Sequence, residues 1–386
     1  MKKILRQNGF KFFIKLALSV LVIVYIIFAP ISVFPLLKKS QSKVNAKIQI
    51  DYMGILELWN IDTFEGGSKS RTGFLEKQAI SFEKEHKGCY VMVYSISQEQ
   101  AKINIENGQK PDMISFGIGV GEDIRQNLIK LNSNYNIRSD LLVGGKDNGS
   151  LYAVPYILGG YVLINDNNSQ QNLKQADMLG FGDNSFNNFS LALAHNNITF
   201  SSLFEQNQSI DSFNAYDKYL SKKFNSLCGT QRDLYRVLNR IEKGTMAERP
   251  FEYLQGFSDL IQYIGIGTDD EEKQEICQNF IQKLLSSEVQ KSLSNYNLFS
   301  VNQSNIYDSQ NEQFFAMEQA LSKPLKTIGV FTSNQDLKDI KKLSYEALKG
   351  NTDAKAKLKN YYALVKQQIQ MIKTDWKNKS SIQKTI

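Results

Sequence analysis

Three short apolar runs, separated by two polar helical patterns, constrain this chain most. "GILELWNI" (Gly54–Ile61) alternates apolar and polar residues as a strand does. Ser70 to His86 follows with Phe74, Leu75, Ala79 and Phe82 at helical spacing and stops at Gly88. "CYVMVYSI" (Cys89–Ile96) reads as a second strand, "QEQAKINIENG" as a helix ending at Gly108, and "PDMISFG" (Pro111–Gly117) as a third strand. Strand, helix, strand, helix, strand at this spacing predicts parallel pairing in an α/β domain, since each parallel return needs a crossover.

Further along, "GSLYAVPYILGGYVLIND" (Gly149–Asp166) gives two strand-like runs around Pro155 and Gly159-Gly160. "FNAYDKYL" and "CGTQRDLYRVLNRIEKG" predict a helix, a turn and a second helix ending at Gly244. "GFSDLIQYIGIG" (Gly256–Gly267) is strand-like, and "DDEEKQEICQNFIQKLLSSEVQKSL" is an amphipathic helical stretch with acids at its start, where the helix dipole favours them. From Asn311 to about Lys377 the pattern is mostly helical.

Ahead of this body lies "LALSVLVIVYIIFAPISVFPLL" (Leu16–Leu37), 22 residues without a charge and close to the length that crosses a bilayer. Lysines precede it, as in a signal sequence or a membrane anchor with its positive flank inside. Pro30 and Pro35 shorten its helical part, and no lipoprotein cysteine follows before Cys89. Export is expected, with an uncleaved anchor favoured and secretion the outcome if the segment is cleaved.

The same region explains the charge. Nine of the 46 Lys/Arg fall within residues 1–47, which carry no acid, so the rest holds 37 basic against 39 acidic side chains. The sequence pI of about 9.0 therefore reflects the flanks of the apolar segment and gives no support to nucleic-acid binding. Cys89, Cys228 and Cys277 lack disulfide or metal spacing and read as core residues, while His86 and His195 read as surface residues. No cofactor or metal is implied. Nucleophile-elbow, zinc-protease, phosphate-loop and dinucleotide motifs are absent, and pairs such as Asp269/Asp270 read as a solvated helix start.

In order, these phrases resemble the extracellular solute-binding proteins of the sugar-type ABC transporter class, the group that includes maltose-binding protein. The resemblance spans residues 50–302. It rests on the opening strand, loop and helix with "FEKEHKG", on "PDMISFG", on "GSLYAVPYILGGYVLIND", and on "EEKQEICQNFIQKLLSSEVQKSL". Asp166 to Asp211 lacks the family's "T-W-x-E-L" phrase. The resemblance implies an α/β, two-lobed periplasmic-binding-protein-like fold with a cleft between the lobes, preceded here by one N-terminal transmembrane helix. Residues 1–47 would be the anchor, 48–117 plus 257–300 lobe one, and 118–256 plus 301–386 lobe two. The chain would leave lobe one near Gly117–Gly119, return near Gly256–Gly267, and leave again near Tyr296–Asn302. The protein would be a monomer that captures a small polar ligand, a sugar, for ABC permease subunits at the extracellular face of the cell membrane. The alternatives are a sensing module for a membrane kinase and a scaffold of this fold without a ligand.

Ligands of open α/β sheets sit beyond the carboxyl ends of the strands. The first such turn, "NIDTFEGGSKS", offers Trp59 as an aromatic face, Asp62 and Glu65 as acceptors, Gly66 and Gly67 for close backbone approach, and Ser70 and Arg71 at a helix start. A sugar could use the ring and the acceptors; an anion could use the helix N-terminus and Arg71. The same residues also fit an N-cap, a turn and a packed core. Phe116 could floor the cleft or fill the core. Tyr156 and Tyr161 could stack on a sugar or brace a hairpin, and Gln231 and Arg232 could reach a ligand from a second strand-to-helix turn.

Overall fold

The computed structural model describes residues 52–63, 67–132, 134–166, 179–183, 187–199, 211–302 and 305–363. The apolar run at 16–37 lies outside them. Among the described residues no helix is long and apolar enough to cross a membrane.

The first sheet opens as its apolar alternation predicts: β1 (Gly54–Asn60), α1 (Arg71–Glu85), β2 (Cys89–Ser95), α2 (Gln98–Glu106) and β3 (Met113–Phe116). β1 pairs in parallel with both β2 and β3. α1 begins at Ser70, whose side chain accepts from the Gly73 amide, and buries Phe74, Leu75, Ala79 and Phe82 along one stripe. Two strands from later in the chain complete the sheet. β4 (Val154–Leu158) and β9 (Ile261–Ile266) give the order β2-β1-β3-β9-β4, with β9 antiparallel to both neighbours.

The second sheet holds β5 (Tyr161–Asn165), β6 (Leu179–Gly180), β7 (Ser226–Thr230) and β8 (Phe251–Tyr253), in the order β8-β5-β7-β6. α3 (Phe189–His195), α4 (Ser212–Leu220) and α5 (Gln231–Glu242) accompany it. The stretch read as helix, turn and helix thus contains β7 between α4 and α5. α6 (Glu271–Leu284) and α7 (Ser287–Ser292) follow β9. The helical C-terminal part comprises α8 (Glu312–Ser322), α9 (Asn334–Leu348), which packs along α3, and α10 (Thr352–Leu358).

Tyr156 and Tyr161 do not share a hairpin. β4 and β5 belong to different sheets, so at Gly159-Gly160 the chain passes from the first sheet to the second, and the first such passage falls there and not at Gly117–Gly119. The sequence reading missed this because a Gly-Gly pair between two apolar runs has the form of a tight turn. The chain runs straight through because its amides bond elsewhere: Gly159 donates to the Leu260 carbonyl and Gly160 to the Gln231 side chain. A Cβ at Gly159 would stand 2.8 Å from Gln231 Oε1 and 3.0 Å from Leu260 Cβ, so a larger residue there would displace the Gln231 side chain. The return passage lies between β8 and β9. There Ser258 Oγ donates to the Gly159 carbonyl, and buried Asp259 accepts from Tyr161 OH at 2.6 Å and Asn188 Nδ2 at 2.7 Å. The third passage runs beside β4 through reciprocal Leu158–Phe299 backbone bonds. Buried Gln290 pins it, donating to the Tyr156 carbonyl and accepting from Ser300 Oγ and the Val301 amide.

All three cysteines are buried and free. His195 is not the surface residue its sequence context suggests: it sits half-buried beside Phe257, with Nδ1 3.1 Å from Tyr362 OH. Burial, with Lys326 and Lys355 adding repulsion, pulls it down to about 4. Burial pushes Asp183 up to about 6, against hydrogen bonds from Ser190 and the attraction of Lys341. These groups pull stability in opposite directions. The Asp183 contribution is full below about 3.8 and lost as pH rises through about 6; the His195 contribution is full above about 6.5 and lost as pH falls through about 4. Relative to the parent, His195→Gln should therefore gain stability on acidification from pH 7.5 to 4.5 and Asp183→Asn should lose it, each by about 2 kcal/mol. Urea unfolding at both pH values checks the signs.

Candidate functional site

The carboxyl ends of β1 and β3 and the start of α1 converge on a polar cluster. Asn60 ends β1, and its amide nitrogen donates to Asp62 Oδ1 and Thr72 Oγ1, each at 3.0 Å. Its carbonyl oxygen accepts from Ser115 Oγ on β3 at 2.9 Å, and Ser115 Oγ lies 2.7 Å from Tyr156 OH. Arg71, in the first turn of α1, pairs through Nε with Asp62 Oδ1 at 3.0 Å. Gln262 reaches in from β9. Its oxygen accepts from Thr63 Oγ1 and from an Arg71 Nη, while its nitrogen donates to the Ile61 carbonyl and Ser115 Oγ.

Asn60, Ser115, Tyr156 and Gln262 are fully buried and Arg71 is 3% exposed, whereas the Asp62 side chain is 46% exposed. One carboxylate is thus the wet end of an otherwise dry network. Burial lowers the Arg71 pKa, Asp62 opposes the shift, and Arg232 adds repulsion. Arg232 is the second residue of α5. Thr230 and Asp233 form a capping box that fixes this end of α5.

Two solved structures share this architecture. The GacH receptor of Streptomyces glaucescens GLA.O, solved unliganded and in complex with acarbose and an acarbose homolog, matches with a TM-score of 0.54 at 11% identity. The match covers 79% of this chain and 95% of the receptor. The maltose-maltodextrin binding protein of Alicyclobacillus acidocaldarius matches with a TM-score of 0.52 at 13% identity, covering 80% of this chain and 98% of that one. The fold is that of the maltose-binding-type receptors. No protein-family model matches the sequence, and no curated protein matches it at significance.

Within this fold, the turn brings Asp62, Ser70 and Arg71 together, and Arg232, at the start of α5, adds repulsion to Arg71. Glu65 and Gly66 lie outside the described residues. Gly67 does make a close backbone approach, but to protein: the neighbouring Ser68 amide donates to the Tyr296 carbonyl, and a Cβ on Gly67 would stand 1.5 Å from that oxygen. Ser70 is the α1 cap. The rings differ from their expected placement. Trp59, Phe116, Tyr156 and Tyr161 are at most 5% exposed, so none offers a free face for stacking. Tyr156 belongs to lobe one, where its hydroxyl completes the cluster, and Tyr161 clamps the Asp259 passage. Gln231 is fully buried and braces Gly159-Gly160 instead of reaching outward.

Gln262, Ser115 and Thr63 were missed as cluster members. Gln262 carried a signal, being a lone amide in the apolar run "LIQYIGI". A polar side chain in a strand buried on both faces needs internal partners.

Proposed function

We propose that this chain is an exported, membrane-tethered solute-binding protein that captures a carbohydrate between its lobes for ABC permease subunits, acting as a monomer. One observation carries the reading: Asp62, the wet end of a buried network at the strand ends, is paired with buried Arg71. The acarbose and maltose-maltodextrin receptors of the same fold supply the ligand class. Asp62 accepts a sugar hydroxyl, Arg232 donates from the second lobe, and the buried partners hold Asp62 in place. Closure is a hinge motion at the three passages. With Trp59 and the tyrosines packed, the stacking role passes to Phe331, a half-buried ring 6.0 Å from Phe116 at the end of β3. The apolar run at 16–37 is the tether.

The two cations drawn from opposite lobes favour a second reading, a phosphorylated sugar. Thermal shifts against neutral maltodextrins, cyclic oligosaccharides and sugar phosphates separate the two. A ligand at a hundred times its Kd adds about 2.7 kcal/mol. Neutral oligosaccharides are expected to raise Tm, and Asp62→Ala, Arg232→Ala and Phe331→Ala each to weaken binding about tenfold, or ~1.4 kcal/mol. A shift with sugar phosphates alone selects the second reading. Silence across the panel, or shifts indifferent to all three substitutions, overturns the site.

A further inference from the structure

Over the first half of β1 and β2, one face of the first sheet is exposed. In parallel register Ile55 stands beside Tyr90, Glu57 beside Met92, and Trp59 beside Tyr94, all on the face opposite the Leu56, Leu58 and Val91 stripe. Trp59 is covered, but Ile55 is 52%, Tyr90 55%, Met92 44% and Tyr94 39% exposed, and Met53 at the mouth of β1 is 79% exposed. α1 carries the chain from β1 to β2 and α2 carries it back past β1 to β3, in the opposite direction, so right-handed crossovers put the two helices on opposite faces. α2, of nine residues, buries only Ala101 and leaves the first half of β1 and β2 open. Glu57 is the one charge among these side chains. The sheet edge, by contrast, is plugged: the Val91 amide donates to the Glu83 carboxylate at 3.1 Å, which opposes strand addition there. What is offered is a face, not an edge.

We infer that this face rests on the lipid headgroup surface of the membrane. Contiguous exposed apolar groups of this size mark interaction sites, and tyrosines with an apolar body and polar tip suit the bilayer interface. The place where the chain enters argues for this occupant. The uncharged run ends at Leu37, and 14 residues, among them Lys38, Lys39, Lys43 and Lys47, lead to Tyr52, next to Met53 and Ile55. Fully extended they span at most about 50 Å. A chain tethered through that run would keep the start of β1, and so Met53 and Ile55, within that distance of the headgroups. The inference rests on the tether of the proposed function.

The test uses the full chain in phosphatidylcholine/phosphatidylglycerol vesicles with a spin label at Met92→Cys. The reference is Ile80→Cys, on the exposed side of α1. The native cysteines are buried, and the unsubstituted chain gives the background. Flotation reports the tether; collisions with oxygen and with a nickel chelate report the face. Expected is a floating chain whose label at 92 meets oxygen severalfold more, and nickel severalfold less, than the label at 80, with Tyr94→Cys behaving alike. A floating chain with equal accessibility at 92 and 80 overturns the face and leaves the tether standing. A chain that does not float overturns the tether and the inference with it. Shielding from both probes assigns the cover to protein and overturns the lipid surface.

Discussion

Gln262→Leu is expected to destabilise the protein by about 3–5 kcal/mol and to abolish ligand binding. Leucine fills nearly the same volume, so little cavity is left and the loss is polar. Gln262 is fully buried and serves four partners: Thr63 Oγ1, an Arg71 Nη, the Ile61 carbonyl and Ser115 Oγ. Each buried group left without a partner costs about 1–3 kcal/mol, and the buried network relaxes only in part. Binding fails because Gln262 positions Arg71, which in turn holds Asp62. Urea unfolding gives the stability and isothermal titration with the panel ligand gives the affinity. A loss under about 1 kcal/mol, smaller than one orphaned group, would show that water enters the cluster and that the network does not hold Asp62.

Gly67→Ala is the second large effect, and it acts through the main chain. The new Cβ would meet the Tyr296 carbonyl oxygen at 1.5 Å and its carbon at 2.7 Å, both backbone atoms that no rotamer change can move. The turn must lift, breaking the bond from the Ser68 amide to Tyr296. Overpacking of this kind costs about 1–3 kcal/mol. Ligand affinity should fall more than tenfold, beyond ~1.4 kcal/mol, because the turn carries Asp62 on one side and the α1 cap on the other. Gly73→Ala is the control. It sits inside α1 with only Ser70 atoms nearby, at 3.8 Å and beyond, and should be neutral or stabilising by up to about 1 kcal/mol. Similar affinity losses in both variants would trace the effect to α1 and not to the turn's seat on Tyr296.

The strands and helices of the first lobe were legible because each is a local pattern. "GILELWNI" alternates, Phe74 to Phe82 recurs at helical spacing, and Ser70 caps where its sequence says it should. The C-terminal ends of those strands, and so the place of the turn, followed from parallel topology. Gly159-Gly160 was legible as a break but not as a passage. Whether two apolar runs fold back or part to different sheets depends on partners far along the chain, here β9 for Val154–Leu158 and β7 for Tyr161–Asn165.

The site divides in the same way. By itself the sequence determined which residue types stand at the strand ends, where the polar turn falls, and that the excess of positive charge lies at the flanks of an apolar segment. Tertiary structure alone decided their roles. An aromatic beside a polar turn has the same local sequence whether its ring faces solvent or core, and packing from other elements buried Trp59, Phe116, Tyr156 and Tyr161. Arg71 and Asp62, nine residues apart, became a pair because Gln262, 191 positions from Arg71, supplies the buried acceptor between strand and helix. Local propensity acts over a few residues; burial and charge act over a few ångströms, and only the folded chain makes those distances short.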